Sequence, residues 1–553
     1  MMKLTDNYMT EREAFTTMGI EVPTFDQVDL VKTAKVTPTW VHFGGGNLFR
    51  GFHSEVAQKL VAAGELPAGV IVAETYDDAV IQDVYRRFDN RHLNVTMKAD
   101  GSLKRELIAS VSGSYTFNRD HKADWQTMMT IFAKPSLQLA TFSITEKGYN
   151  LRQPDGYFTN QVLADLATDP HTTAPGNNMV ATAALLLHRF ETNATPIAMV
   201  STDNFSQNGD RLRETMQTIA KMWETNGFVG ADFMTWLNQD VTFPLSMIDR
   251  ITPNPAASVA EALQAIGFAD TELIRTPKGT NVAPFANTEE VHYLVIEDNF
   301  PNGRPDFTKA GVYLTDRATV NDADAMKVTT SLNPLHTALA IFGSLLNYDS
   351  IAEEMKNVDL LKLIQNIGYV EGLPVVTDPG IISPKQFIDE VINKRLPNPY
   401  IPDTPQRIAT DTSQKLSIRF GETIKAYVAD EHRDVNDLVF IPLTLAAWVR
   451  YLMAVDDNGQ QMALSPDPLL ATLLPKVAPL HLGYAGNLHD VVVDILQDEQ
   501  IFGVDLYEVG LGVRVENDLA QLLGGEGAVA CTLHNALAAY GRYDVAEGVV
   551  SYG

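Results

Sequence analysis

One stretch near the N-terminus restricts the fold more than any other. Residues 39–43, Thr-Trp-Val-His-Phe, read as a short strand after Pro38 and run into Gly44-Gly45-Gly46-Asn47. Phe52, Val56 and Leu60 then recur at i, i+4, the spacing of one helix face. After a loop at 64–69, Val70-Ile71-Val72-Ala73 is an uninterrupted apolar run. A strand, a crossover helix and a second strand require a parallel sheet, and an unbroken apolar strand is one covered on both faces. The chain is therefore expected to start as a doubly wound α/β domain of Rossmann type.

At 553 residues the chain exceeds one typical domain. Its apolar share of 45% and charged share of 20% are those of a globular protein. A net charge of −27 argues against nucleic acid and against anionic membranes, because both need a basic surface. An anionic small substrate would need local Lys and Arg to overcome that field. No run of about eighteen apolar residues appears. The N-terminal MMKLTDNYMTEREAF has no secretory core. Cys531 is the single cysteine, so neither an internal disulfide nor a cysteine-rich metal site is expected. These features point to a cytoplasmic protein with a small-molecule partner. Its oligomeric state, monomer or dimer, is not legible.

Residues 107–111, 138–144 and 196–201 are further strand candidates. Residues 179–191 form a helical segment between them. From Asp210 onward, Leu212, Met216, Ile219 and Trp223 mark an amphipathic helix. The first thirty residues read as a leader helix and loop. After about residue 320 helical periodicity dominates, at 337–346, 351–367, 384–393, 412–429, 442–454 and 490–498. A domain change within 316–322 divides the chain into 1–318, the α/β nucleotide-binding part, and 319–553, a mainly α-helical part.

Gly44-x-Gly46 closes a strand and opens a helix. Glycines there let a pyrophosphate approach the backbone, and a helix N-terminus favours negative charge. Asn47 and Leu48 are placed with them as cofactor-binding positions. Phe49 stands where the usual third glycine falls, and a plain tight turn reads equally well. The second strand ends in Glu74, with Asp77 and Asp78 close behind. An acid there binds the adenosine ribose and repels a 2′-phosphate, which favours NAD over NADP; exposed loop acids are the plainer reading. Glu146, in ITEKGY, follows a strand and is a site candidate or a surface turn. Asn204, in STDN, offers an amide to a substrate oxygen or caps a helix. Asp249 precedes Arg250 in an apolar frame, either as a buried ion pair or as a contact to a substrate hydroxyl.

MKVTTSLNPLH, residues 326–336, sets Lys327, Asn333 and His336 ahead of an apolar helix. A lysine exchanges a proton, an amide holds a developing oxyanion and an imidazole orients a hydroxyl. That set suits a metal-free alcohol or ketone oxidoreductase. Solvated lysines on helices are otherwise the rule.

FGGGNLFRGFH, ITEKGY, STDNFSQNG, FPLSMIDRITP, EDNFPNGRP, MKVTTSLNPLH and DTPQRIATDTSQK occur in that order from residue 43 to residue 415. Together they resemble the polyol-specific long-chain dehydrogenases, the mannitol dehydrogenase family. The resemblance implies NAD-dependent hydride transfer without a metal. Lys327 matches the general acid/base, Asn204 and Asn333 the oxyanion-hole amides, His336 the substrate-orienting histidine, and Glu146 a glutamate assisting proton movement. Asp249, Arg407 and Lys415 match positions that contact the polyol. One departure stands out: five residues separate Lys327 from Asn333, where mannitol- and fructuronate-type members have four. At about 100° per residue, Lys327 and His336 fall on opposite sides of an ideal helix. Two remedies are expected. One is a π-bulge or kink; the other is a helix capped by Asn333 with Pro334 as its first residue.

The expected activity is the interconversion of a keto sugar acid and its polyol acid, fructuronate and mannonate, on an N-terminal cofactor domain and a C-terminal catalytic domain. Mannitol/fructose and tagaturonate chemistry are the alternatives, because the same cations serve neutral polyols in mannitol-type members. A catalytically inactive NAD-binding protein is the alternative of a different class.

Overall fold

The computed structural model describes residues 1–544 and 549–550. The chain divides into two compact units, one of Met1–Lys98 with Ser102–Asn321 and one of Ala99–Gly101 with Asp322 onward.

The first unit is built on six strands: β1 Trp40–Phe43, β2 Val70–Glu74, β3 Val111–Thr116, β4 Leu139–Phe142, β5 Ile197–Ser201 and β6 Val241–Thr242. They pair in the order β3-β2-β1-β4-β5-β6, parallel throughout. This is the order of a dinucleotide-binding sheet, reversing between β1 and β4. Alternation along each strand feeds two cores. Trp40, Val70, Val72, Leu139 and Val200 join Val56 and Leu60 of helix α1 (Ser54–Ala62) and Phe52 in the turn before it. Val41, Phe43, Ile71, Phe142 and Met199 join helices α2 (Asn178–Thr192) and α3 (Asn208–Thr225) through Leu185, Leu212 and Trp223. Both faces are covered, so β1, β2, β4 and β5 are mostly apolar. His42 is a polar residue inside β1. Its ring nitrogens lie 2.6 Å from Thr141 Oγ1 and 2.8 Å from Ser143 Oγ, and burial holds its pKa well below the ordinary value, so it is neutral.

Three of the expected strands match β1, β2 and β5 within a residue, and β4 is shorter than expected. The expected strand at 107–111 is divided. Leu103–Ile108 belongs to a separate four-stranded sheet with Ile20–Glu21, His92–Met97 and Phe285–Glu289, while β3 starts at Val111. A three-stranded sheet of Ser246–Asp249, Tyr293–Glu297 and Tyr313–Thr315 completes the unit. The leader holds two helices, Arg12–Thr17 and Gln27–Val36.

The second unit is helical. Helix α4 (Asn333–Leu345) and helix α5 (Phe440–Tyr451) are its buried axes. Helix α5 begins ahead of the expected 442 because Glu371 caps it from outside, its carboxylate accepting the amides of Val439, Phe440 and Ile441 at 2.7, 2.7 and 2.9 Å. The expected helix 351–367 is broken where Asn357 caps a new helix, Val358–Gln365. The expected 412–429 segment passes through a 3-10 turn and a π-helical segment, Ser417–Gly421, before α-helix starts at Glu422.

Candidate active site

In the first unit the sheet reverses between the carboxyl ends of β1 and β4, and a cavity of about 530 Å³ opens there. Gly44, Gly46, Glu74, Asp77, Ser143 and Thr145 are among its walls. Gly44 has φ +102°, and a Cβ on it would lie 2.2 Å from the Ser143 carbonyl oxygen, so only glycine fits. A Cβ on Gly46 would meet nothing within 4 Å and would project into open space at the cavity wall. The chain becomes helical at Asn47, passes through a π-helical turn at Phe49–His53, and continues as α1. Leu48 lies in the first turn, and the Asn47 amide donates to the Asn281 carbonyl at 3.2 Å.

Glu74 accepts the amides of Gly45 at 2.6 Å, Tyr76 at 2.8 Å and Asp77 at 3.1 Å. Burial raises its pKa against these bonds. Most of its acceptor positions are thus filled by protein, yet the residue stays on the cavity wall. The two acids that follow differ in their surroundings. Asp77 lines the cavity, but its Oδ2 receives the hydroxyls of Thr276 and Thr280, both at 2.5 Å, and its Oδ1 caps a short helix at Ala79. Asp78 lies 3.0 Å from His121 Nε2 and is not among the wall residues. The residues present fit a dinucleotide: a glycine turn before a helix, room beyond Gly46, and one acid at the end of β2.

At the ends of β4 and β5, Asp203 ties two loops together. Its carboxylate accepts the amides of Ile144 at 2.9 Å and Thr145 at 2.8 Å, and the Tyr149 hydroxyl at 2.7 Å. Thr145 is held at φ 64°, ψ 157°, a strained conformation for a β-branched residue. Glu146 is exposed on the 3-10 turn that follows. Asn204 is exposed beside Asp203; it does not cap α3, whose cap position is Gln207. Asp249 is buried at the end of its strand. The expected Asp249–Arg250 pair is not formed. Arg250 binds Glu55 of α1 at 2.6 Å instead, because neighbouring residues of a strand point to opposite faces.

In the second unit a π-helical segment spans Met326–Ser331, and the Leu332 amide donates to the Lys327 carbonyl at 3.1 Å. It absorbs the extra residue. Helix α4 then starts afresh at Asn333, with Leu332 in the cap position and Pro334 in the first turn, one place from the capped arrangement expected. The Lys327 side chain is 4% exposed, its amine 3.5 Å from Asp324 Oδ1. The side-chain amide of Asn333 makes no hydrogen bond among the described residues.

His336 Nε2 lies 3.3 Å from Asp403 Oδ2 yet has no hydrogen-bond partner, so the pair is near in charge but off line. Burial lowers the His336 pKa and Asp403 opposes it; the net direction is down. Burial works to raise the Asp403 carboxyl, but His336 and Arg407 outweigh it and hold it low. Arg407 pairs with Asp403 across one helical turn. The Lys415 amine donates to the Thr410 carbonyl, and burial with the nearby Arg419 charge lowers its pKa. Two members of this cluster escaped sequence reasoning. Asp403 was signalled by its i, i+4 spacing to Arg407. Arg419 had no local signal, because its partner, Thr337, lies on α4.

Strand order, glycine turn and acid define a Rossmann-type nucleotide-binding protein carrying a separate helical unit. The chain belongs to the mannitol dehydrogenase family. Residues 38–309 match the mannitol dehydrogenase Rossmann domain and residues 320–523 the mannitol dehydrogenase C-terminal domain. It is 48% identical over 545 residues to a D-mannonate oxidoreductase of Thermotoga maritima, covering 98% of this chain and 100% of that one. The fold is similar to a crystal structure of D-sorbitol dehydrogenase (TM-score 0.75, 22% identity, covering 93% and 97% of the two chains). It is also similar to Pseudomonas fluorescens mannitol 2-dehydrogenase in complex with NAD and D-mannitol (TM-score 0.68, 23% identity, covering 97% and 100%).

Proposed function

We propose that this protein interconverts D-fructuronate and D-mannonate as an NAD-dependent oxidoreductase. The observation that carries the reading is the 48% identity, over the whole length of both chains, to a D-mannonate oxidoreductase. Bound NAD supplies the hydride acceptor in oxidation and, when reduced, the hydride donor. Glu74 at the end of β2 offers a 2′-phosphate no cation, in keeping with NAD.

The remaining chemistry falls to side chains of this chain. In the reducing direction negative charge grows on the ketone oxygen. Asn333, whose amide the protein leaves uncommitted, is suited to donate to that oxygen. Lys327, sequestered from water, delivers the proton; in oxidation the neutral amine takes it back from the alcohol. His336 is neutral because burial lowers its pKa, and its orphaned Nε2 is suited to hold a substrate hydroxyl. Asn204 brings the same amide chemistry to the end of β5, and Glu146, in contact with solvent, suits proton exchange with water. Asp249, Arg407 and Lys415 are assigned to the substrate chain.

Initial rates of NAD reduction with D-mannonate, D-mannitol, D-altronate and D-arabinitol test the proposal. Mannonate is expected to be the preferred substrate. Rapid mannitol oxidation with none of mannonate would replace it with the mannitol reading.

A further inference from the structure

Arg419 stands out among the cations of the second unit. It lies in the π-helical segment Ser417–Gly421, which packs against both α4 and the Met326–Ser331 segment that carries Lys327. Its Nη1 donates to Thr337 Oγ1 at 2.6 Å, one residue beyond His336. Its charge reaches both His336 and Lys415, lowering the pKa of each. Mostly buried cations are ordinarily paired with a carboxylate. Arg407 has Asp403, and Lys415 has Asp411 and Asp467 acting on it. Among the described residues no carboxylate is in ion-pair reach of Arg419, and burial alone depresses its pKa, to about 10. Its other N–H groups are not sealed in the core. The chain holds a guanidinium beside His336 without supplying its counter-ion.

We infer that Arg419 reads the carboxylate of a sugar-acid substrate and so selects acids over neutral polyols, with Thr337 fixing the direction of its fork. A planar guanidinium held at one nitrogen keeps its remaining donors for a carboxylate, the geometry in which charge-assisted bonds are strongest. The inference rests on the mannonate reading above.

The test is steady-state kinetics of the full-length enzyme at saturating NAD with D-mannonate and D-mannitol. Arg419→Gln is expected to lower kcat/KM for mannonate on the order of 10- to 100-fold, the range for a hydrogen bond to a charged group. The loss should fall mainly in KM, and the mannonate-to-mannitol ratio should fall with it. Arg419→Lys should recover part of the ratio. Thr337→Val, which keeps the charge but frees its orientation, should shift the ratio the same way by less. Equal losses on both substrates, or an unmoved mannonate KM, overturn the assignment. If Arg419→Gln does not fold, an unmoved ratio in Thr337→Val overturns it. A wild-type enzyme idle on mannonate sinks the functional proposal itself, whereas an active wild type with an indifferent Arg419→Gln sinks only this assignment.

Discussion

Lys327, the proton carrier in the proposed reaction, is almost wholly buried on a π-helical turn, its amine 3.5 Å from Asp324 Oδ1. Lys327→Ala should cost about 100- to 10,000-fold in kcat, the usual weight of a positioned acid or base. Near wild-type turnover of mannonate in that variant would remove the lysine from the mechanism. Gly46 offers a second test. Gly46→Val places a branched side chain where a Cβ meets only open space at the cavity wall. NADH affinity by fluorescence titration should drop severalfold while the unfolding temperature barely moves. Lys327, Asn333 and His336 were legible because they share eleven residues of sequence. Asp203 and Arg419 were not, because each acquires its role from a partner far along the chain, Asp203 from Ile144 and Arg419 from Thr337.

The π-helical segment shows how much a count of residues can predict. Five residues between lysine and asparagine called for either an irregular helix or a fresh start near Asn333, and the π-helical Met326–Ser331 is followed by a helix from Asn333. Removing Thr329 should let this stretch relax to α-helix and turn Lys327 by about 100° against Asn333. The expected outcome is a folded protein, by circular dichroism and NADH binding, with turnover down at least a hundredfold. Full activity in the deletion would show that the extra turn is idle. Other element boundaries escaped the sequence for a common reason. Helices at 351–367 and 412–429 keep their apolar period across caps and tight turns, so periodicity alone cannot see the breaks. The strand at 107–111 conceals a change of sheet at Ala109-Ser110, which costs the chain no apolar residue.

For the whole molecule, two buried carboxyls in the second unit weaken the fold as pH rises. Glu354 is fully buried, neither oxygen has a partner, and burial raises its pKa to about 9. Glu371, capping α5, is raised to about 7, again chiefly by burial. A carboxyl whose folded pKa is raised stays protonated while the unfolded chain loses its proton. Its stabilisation is therefore complete below pH 4.5 and is lost as pH climbs toward the folded value. Between roughly pH 5 and 7 both act together, each at up to about 1.4 kcal/mol per pH unit. Above pH 6.5, where the buried neutral histidines no longer act in the opposite sense, urea unfolding should show stability falling toward pH 8. Glu354→Met should flatten that slope and raise stability at pH 8 by a few kcal/mol, since it removes an unpaired buried carboxyl. A variant less stable than wild type at pH 8 would assign Glu354 a partner in the folded protein.

The carboxylate of Asp203 has a mechanical consequence. It grips the backbone after β4, which walls the dinucleotide cavity, and its own chain continues directly into Asn204. One carboxylate thus anchors both the loop at Thr145 and the chain leading to Asn204, so a shift of either is expected to be felt by the other. Asp203→Ser would slacken both at once, and NADH affinity by fluorescence titration is expected to fall along with turnover.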